Sequence, residues 1–249
     1  DFRNYPVASK RPLCTPWMGY TLLSAPPPLG GATPLEALNL LAASSAAALG
    51  SPTTQGAAAV RMVGAIRVAD ADVGRYRGDP ANFGVPARGL ASPAFAARRA
   101  NVAGRAEGGS SIEPGNPWPE DAAVSSDACA ALEGWGASAL GADRAVPPRS
   151  PRPGGDDAAS ASNTTHFSVV DGERNAVAMT FTVGVLFGSG VYVNGYFLNS
   201  GAANFDNATR GPNRYASSTI SPTIILQGSD VRLVVGAAGS QYIPTATTQ

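Results

Sequence analysis

Asn163-Thr164-Thr165-His166-Phe167-Ser168-Val169-Val170-Asp171 is the stretch where the chain changes character. The segment before it, Pro147–Ser162, is dominated by Gly, Pro, Ser, Asp and Ala, lacks periodicity, and reads as an exposed linker. After it come two β-rich runs, Thr165–Asp171 and Asn175–Val183, separated by Gly172-Glu173-Arg174, which is a hairpin signature. Further strands are expected at Tyr192–Leu198, Ile220–Gln227 and Val231–Val235, the last two joined by a turn at Gly228-Ser229-Asp230. A hydroxyl residue at the head of a strand, behind a loose segment, suits an N-terminal nucleophile. In such enzymes the peptide bond before Thr, Ser or Cys is cut, and the freed α-amine, with an unperturbed pKa of about 8, serves as base for its own hydroxyl. That chemistry needs neither histidine nor metal nor cofactor. Taken by itself, a threonine there is also simply a good strand former.

The first half reads differently. Gly19–Ser24 is the clearest strand, and Ala25-Pro26-Pro27-Pro28-Leu29-Gly30-Gly31 is a rigid extended stretch ending in two glycines. A helix should follow, with Thr33 as N-cap, Pro34 as first helical residue, Glu36 closing a capping box, and Gly50 as its stop. A second helix is expected over Thr54–Tyr76, buried along Val60, Val63, Ile66 and Val73. Asp70 and Asp72 diverge by about 200° on it and read as solvated or capping groups. A short helix is expected around Ser126–Leu132. Helices early, strands mainly late and a loose linker between them point to an α+β fold.

Composition narrows the chemistry. The 249 residues carry 18 basic and 18 acidic side chains, so nothing in the net charge favours nucleic acid, and Arg98-Arg99 is too small a basic patch. No apolar run approaches the roughly 20 residues that cross a bilayer. His166, the single histidine, excludes any metal site that needs two and any serine triad that bypasses it. It lies two residues past Thr164 on the same strand face, and its expected role is structural. Cys14 and Cys129 pair only if their Cα atoms come within about 7 Å, and two free thiols are the expectation.

Several motifs together carry a family resemblance. Thr164–Asp171 followed by Asn175-Ala176-Val177-Ala178 resembles the start of the small subunit of γ-glutamyltransferases. Pro26–Gly31 leading into Glu36–Leu41, and Ala69–Asp72 running to Tyr76-Arg77-Gly78-Asp79-Pro80, resemble that family's large subunit. Phe187-Gly188-Ser189-Gly190, Leu198-Asn199, Ser217–Ile224 and Val235–Ser240 follow in the family's order. The resemblance implies a four-layer αββα sandwich of the N-terminal-nucleophile hydrolase type. It also implies that 1–163 is the C-terminal part of a large subunit, with 101–163 a loose linker. Residues 164–249 become the N-terminal part of a small subunit, the two forming one catalytic domain whose chain is a fragment lacking both ends.

Residue by residue, the resemblance makes Thr164 the nucleophile and Asn163–Thr164 the autoprocessing bond. Thr182 becomes the second threonine that orients the nucleophile. Gly239 and Ser240 take the two oxyanion-hole positions, the second being glycine in the family. Ser217 and Ser218 match the serine pair that binds an α-carboxylate, and Asn204 belongs to the segment that grips an α-amino group. The implied partners are a small γ-glutamyl or other amide substrate, an amino acid, peptide or water as acceptor, and the two subunits for each other. A periplasmic or secreted location is implied as well. The sequence departs from the pattern at Gly184, where the family has Asn, and at Gly201, Ala203 and Asn204, where it has Gln and two acids. The Phe205–Tyr215 loop is short for a lid. These departures make a different acyl group, as in the related cephalosporin acylases, or a non-catalytic homologue, the alternatives to γ-glutamyl transfer.

Overall fold

The computed structural model describes residues 8–44, 50–105, 111–123, 162–205, 211 and 214–249. Two antiparallel strands open the chain, β1 (Leu13–Trp17) and β2 (Tyr20–Ser24), joined by a turn at Met18-Gly19. They form one sheet with two strands from the far end, β7 (Thr223–Gln227) and β8 (Asp230–Val235), in the order β1-β2-β7-β8. The seam is β2 against β7, with Thr21 opposite Leu226 and Ser24 opposite Thr223. The Ser24 hydroxyl lies 3.0 Å from that of Thr223 across the seam. Successive residues point to opposite faces, so Leu22 enters one core with Leu13, Leu35 and Phe95, while Leu23 enters another with Leu226.

Helix α1 (Ala32–Ala43) covers the first face and is itself covered by α2 (Gly56–Arg75) and α4 (Pro93–Ala103). The α1–α2–α4 contact is built from Ala37, Leu40, Ala65, Val68, Ala69 and Ala96, all buried, and small side chains let the axes approach closely. The short helices α3 (Ala87–Leu90) and α5 (Trp118–Ala123) flank this layer. Helix α4 starts with the cap its sequence specifies: the Ser92 hydroxyl accepts from the Ala94 amide at 3.1 Å, with Pro93 in the first turn.

Helix α1 departs from its expected start. Gly31, not Thr33, is its N-cap, no side chain caps it, and the helix stops at Ala43 rather than near Gly50. The reason is burial. The first turn already lies inside the core, so the Thr33 hydroxyl and both Glu36 carboxylate oxygens are buried and make no hydrogen bond by distance and angle among the described residues. The two glycines before it are needed for close approach. A Cβ on Gly31 would overlap Ala25 and Ser24, and one on Gly30 would sit 2.6 Å from the Thr219 carbonyl oxygen.

Helix α2 forms where expected, but Val60 and Val63 are exposed, and small residues such as Ala65 and Ala69 carry the contact beside Ile66 and Val73. Asp72 is fully buried rather than solvated, gripped by the Arg99 guanidinium through two 2.8 Å bonds. Arg99 is thus an internal ion-pair partner, and Arg98 pairs with Glu120 on α5. Burial, reinforced by the neighbouring Asp72 charge, pushes the Glu36 carboxyl well above the usual range.

The second structural unit is the hairpin of β3 (Ser162–Val170) and β4 (Ala176–Val185), which lies against β8. The expected strand at Tyr192–Leu198 is instead a small hairpin, β5 (Tyr192–Val193) and β6 (Tyr196–Phe197), because Asn194 and Gly195 take positive φ and turn the chain. The chain ends in α6 (Ile243–Thr248). Cys14 is disulfide-bonded, against the expectation of free thiols; Cys129 lies outside the described residues, as do Ser126–Leu132 and the linker Pro147–Ala161. Among the described residues no helix is long and apolar enough to cross a membrane.

Candidate active site

Alternation sorts the β3–β4 hairpin into two faces. Thr164, His166 and Ser168 stand opposite Thr182, Thr180 and Ala178, while Phe167 and Val169 stand opposite Met179 and Val177. The first face is a hydroxyl-rich stripe, and Thr164 heads it. Its hydroxyl makes no hydrogen bond among the described residues.

The register slips by one at this end. Ser162 pairs with Val185 but Thr164 with Thr182, so Val183 and Gly184 together oppose Asn163. This is a β-bulge, and Gly184 sits in it at φ +89, a conformation that suits glycine. The bulge removes the Asn163 carbonyl from the ladder and gives it a different donor: the Thr182 hydroxyl, at 2.8 Å. That hydroxyl in turn accepts from the Gly184 amide, also at 2.8 Å. Gly184 N–H, Thr182 O–H and the Asn163 carbonyl therefore form a chain in which each bond polarises the next. The chain ends on the peptide bond between Asn163 and Thr164.

Ser200 fills the other side of the bulge. Its amide donates to the Val183 carbonyl at 2.8 Å, and its hydroxyl accepts from the Val185 amide at 3.1 Å. A Cβ on Gly184 would overlap that hydroxyl, so the Ser200 side chain occupies the space a side chain at 184 would need. Asn204 follows on the exposed 3₁₀ turn Gly201–Asn204, which brings the segment to the edge of the bulge without a carboxylate on it.

His166 does what its expected structural role requires. Its Nδ1 lies 2.7 Å from the Thr180 hydroxyl and its Nε2 3.0 Å from the Ser168 hydroxyl, so both ring nitrogens are engaged away from Thr164. Partial burial lowers its pKa, which keeps the ring neutral at pH 7. The ring packs against Gly236, where a Cβ would overlap it. This contact ties β3 to the turn after β8.

That turn carries Gly239 and Ser240, and β3 packs beside it. Gly239 has φ +132 and Ser240 φ +56, so the second position keeps a left-handed conformation although it is not glycine. Non-glycine residues resist that region by roughly 1–2 kcal/mol. Neither amide donates to a protein acceptor among the described residues, so both are available to an oxyanion. The Ser240 carbonyl is held by the Thr219 hydroxyl at 2.7 Å. Ser218 is fixed through its amide, which donates to the Pro28 carbonyl at 3.0 Å, and its hydroxyl accepts from the Ile220 amide at 3.3 Å. Half-buried Ser217 precedes it.

The family model described as gamma-glutamyltranspeptidase matches residues 1–249. The chain belongs to the gamma-glutamyltranspeptidase family. The glutathione hydrolase proenzyme of Escherichia coli is 28% identical over 269 residues, covering 100% of this chain and 39% of that protein. The glutathione hydrolase proenzyme of Bacillus subtilis is 26% identical over 258 residues, covering 100% and 40%. The chain thus spans about two fifths of the length of the curated relatives it matches. Among solved structures, cephalosporin acylase from Bacillus halodurans superposes with a TM-score of 0.66 at 20% identity, over 96% of this chain and 36% of that one. The fold is therefore shared with that acylase, and it is the α+β arrangement that the sequence implied.

The family resemblance named Thr182, whose hydroxyl reaches the Asn163 carbonyl, but the sequence did not mark Ser200, Thr180 or Thr219 as hydrogen-bonding neighbours of these residues. Each is a hydroxyl residue whose partner is remote in sequence or set by the bulge, and nothing local marks it.

Proposed function

We propose that the full protein is an acyltransferase or amidohydrolase matured by cleavage between Asn163 and Thr164. The observation that carries this is the 2.8 Å bond from the Thr182 hydroxyl to the Asn163 carbonyl. Attack of Thr164 Oγ on that carbonyl carbon places negative charge on the oxygen, where Thr182 already donates. Collapse breaks the bond to the Thr164 nitrogen, which takes up a proton. Water then hydrolyses the resulting ester, leaving a carboxylate on Asn163 and a free amine on Thr164.

In turnover that amine accepts the proton of Thr164 Oγ as the hydroxyl attacks an amide substrate, and the Gly239 and Ser240 amides receive the oxyanion. An amino acid, a peptide or water releases the acyl group. Residues 1–163 and 164–249 stay together after the cut because β2–β7 pairing and the Ser218–Pro28 and Gly30–Ile220 bonds bridge it. The family and the proenzymes among its relatives support γ-glutamyl substrates such as glutathione, with Ser217, Ser218 and Asn204 facing the acyl group.

A second reading, an acylase for a group lacking an α-ammonium, is favoured by one observation. Ser200 occupies the side-chain space at Gly184, and the adjoining turn offers Ala203 and Asn204 in place of carboxylates, so an ammonium there lacks a charged partner. Turnover of γ-glutamyl-p-nitroanilide compared with glutaryl and aliphatic acyl anilides separates the two. The first reading expects γ-glutamyl turnover that vanishes in Thr164→Ala; acyl-anilide turnover alone would select the second. No turnover of any amide by cleaved protein would refute both.

A further inference from the structure

We propose that Thr219 is a positioning residue for the oxyanion turn, an inference that rests on the role given above to Gly239 and Ser240. Thr219 meets the turn at the Ser240 carbonyl, to which its hydroxyl donates at 2.7 Å. The same carbonyl accepts from the Ile243 amide, so its direction is fixed by two donors. Ser240 lies at φ +56, a conformation its side chain resists, and the two donors on its carbonyl hold the residue in that conformation beside Gly239.

Thr219 is itself immobile for reasons that lie in the other part of the chain. Its carbonyl is packed so tightly on Gly30 that a Cβ there would stand 2.6 Å from it. The neighbours on each side are pinned as well: the Ser218 amide donates to Pro28 and the Gly30 amide donates to the Ile220 carbonyl, both at 3.0 Å. A rigid link therefore runs from the Pro-Pro-Pro-Leu-Gly-Gly segment through Thr219 to the turn. Thr182, which serves the cleavage step, is not on this link. The two steps are consequently separable: Thr219 acts on turnover and not on maturation.

The test uses the full-length protein with Thr219→Val, which keeps the shape and removes the donor, and Thr219→Ser, which keeps the donor. Wild type is first shown to cleave by intact mass and to turn over an acyl anilide. Thr219→Val is expected to cleave at the wild-type rate, to lose about tenfold in kcat, the rate equivalent of one hydrogen bond, and to change KM by less than about twofold. Thr219→Ser restores kcat. If Thr219→Val is not recovered folded, Thr219→Cys, of similar size with a weak donor, carries the same expectation.

An unchanged kcat with only a lower Tm would overturn the proposal, since Thr219 would then serve stability alone. So would a change confined to KM, which would make Thr219 a substrate contact, or a Thr219→Ser variant as slow as Thr219→Val. Wild-type protein that cleaves and turns over, with Thr219→Val indistinguishable from it, refutes the positioning role and leaves the proposed function standing. Wild-type protein that does neither refutes both.

Discussion

Replacing Thr182 by Val isolates the bond on which maturation is argued to depend. Valine keeps the β-branched shape and the strand preference, so the β3–β4 ladder is undisturbed. What disappears is the 2.8 Å donor to the Asn163 carbonyl and the acceptor for the Gly184 amide. In the ground state each is an ordinary neutral hydrogen bond, worth about 1 kcal/mol, which lowers Tm by only a few degrees in a protein this large. In the transition state of cleavage the carbonyl oxygen carries charge, and losing one donor aimed at such an oxygen costs on the order of 10²–10³ in rate. A time course of intact mass, started from freshly folded precursor, gives the rate directly. Thr182→Val is expected to persist as precursor at least a hundredfold longer than wild type, and Thr182→Ser to cleave within about tenfold of it. Wild-type kinetics in a folded Thr182→Val protein would refute the reasoning, because the polarised carbonyl would then have no part in the cut.

Three further outcomes follow from the same geometry. Ser240→Gly relieves a left-handed residue and should raise stability by roughly 0.5–1 kcal/mol in a denaturant titration, the gain being offset in part by glycine entropy; a loss of stability would contradict the strain. Gly184→Asn, which restores the family residue, should be destabilised and cleave more slowly, because φ is +89 and a Cβ there displaces the Ser200 hydroxyl from the bulge; wild-type stability and cleavage in this variant would contradict the role given to Gly184 in the bulge. The raised Glu36 pKa means the folded state prefers the protonated acid, so its stability contribution is complete below the ordinary carboxylate pKa and declines as pH rises toward the folded value. Glu36→Gln should therefore gain stability relative to wild type as pH rises from 5 to 8, and equal pH slopes in thermal melts would contradict that.

The hairpin that carries Thr164 was legible because alternation, β-branched residues and a Gly-Glu-Arg turn agree with one another over a short span. The bulge was not, since it depends on Gly184 taking a positive φ against Ser200, sixteen residues on. The β2–β7 seam that makes one sheet of both ends was equally hidden, because strand order is decided by packing across nearly the whole chain. Thr33 and Glu36 have the spacing of a capping box, and local rules cannot know that the helix start is already surrounded. Similarly, Ile66 and Val73 of the expected α2 stripe are buried, whereas Val60 and Val63 are exposed because alanines such as Ala65 and Ala69 carry the closer helix approach. Asp72 was misread for the related reason that its partner, Arg99, comes from another helix. The family motifs identified the family because several of them occur in one order along the chain, and they carried no information on these packing contacts.

The most direct measurement is the intact mass of the purified full-length protein, followed by terminal sequencing of any fragments. The account predicts two chains that remain associated, the second beginning at Thr164 with a free amine. A single uncut chain that persists through prolonged incubation would contradict it.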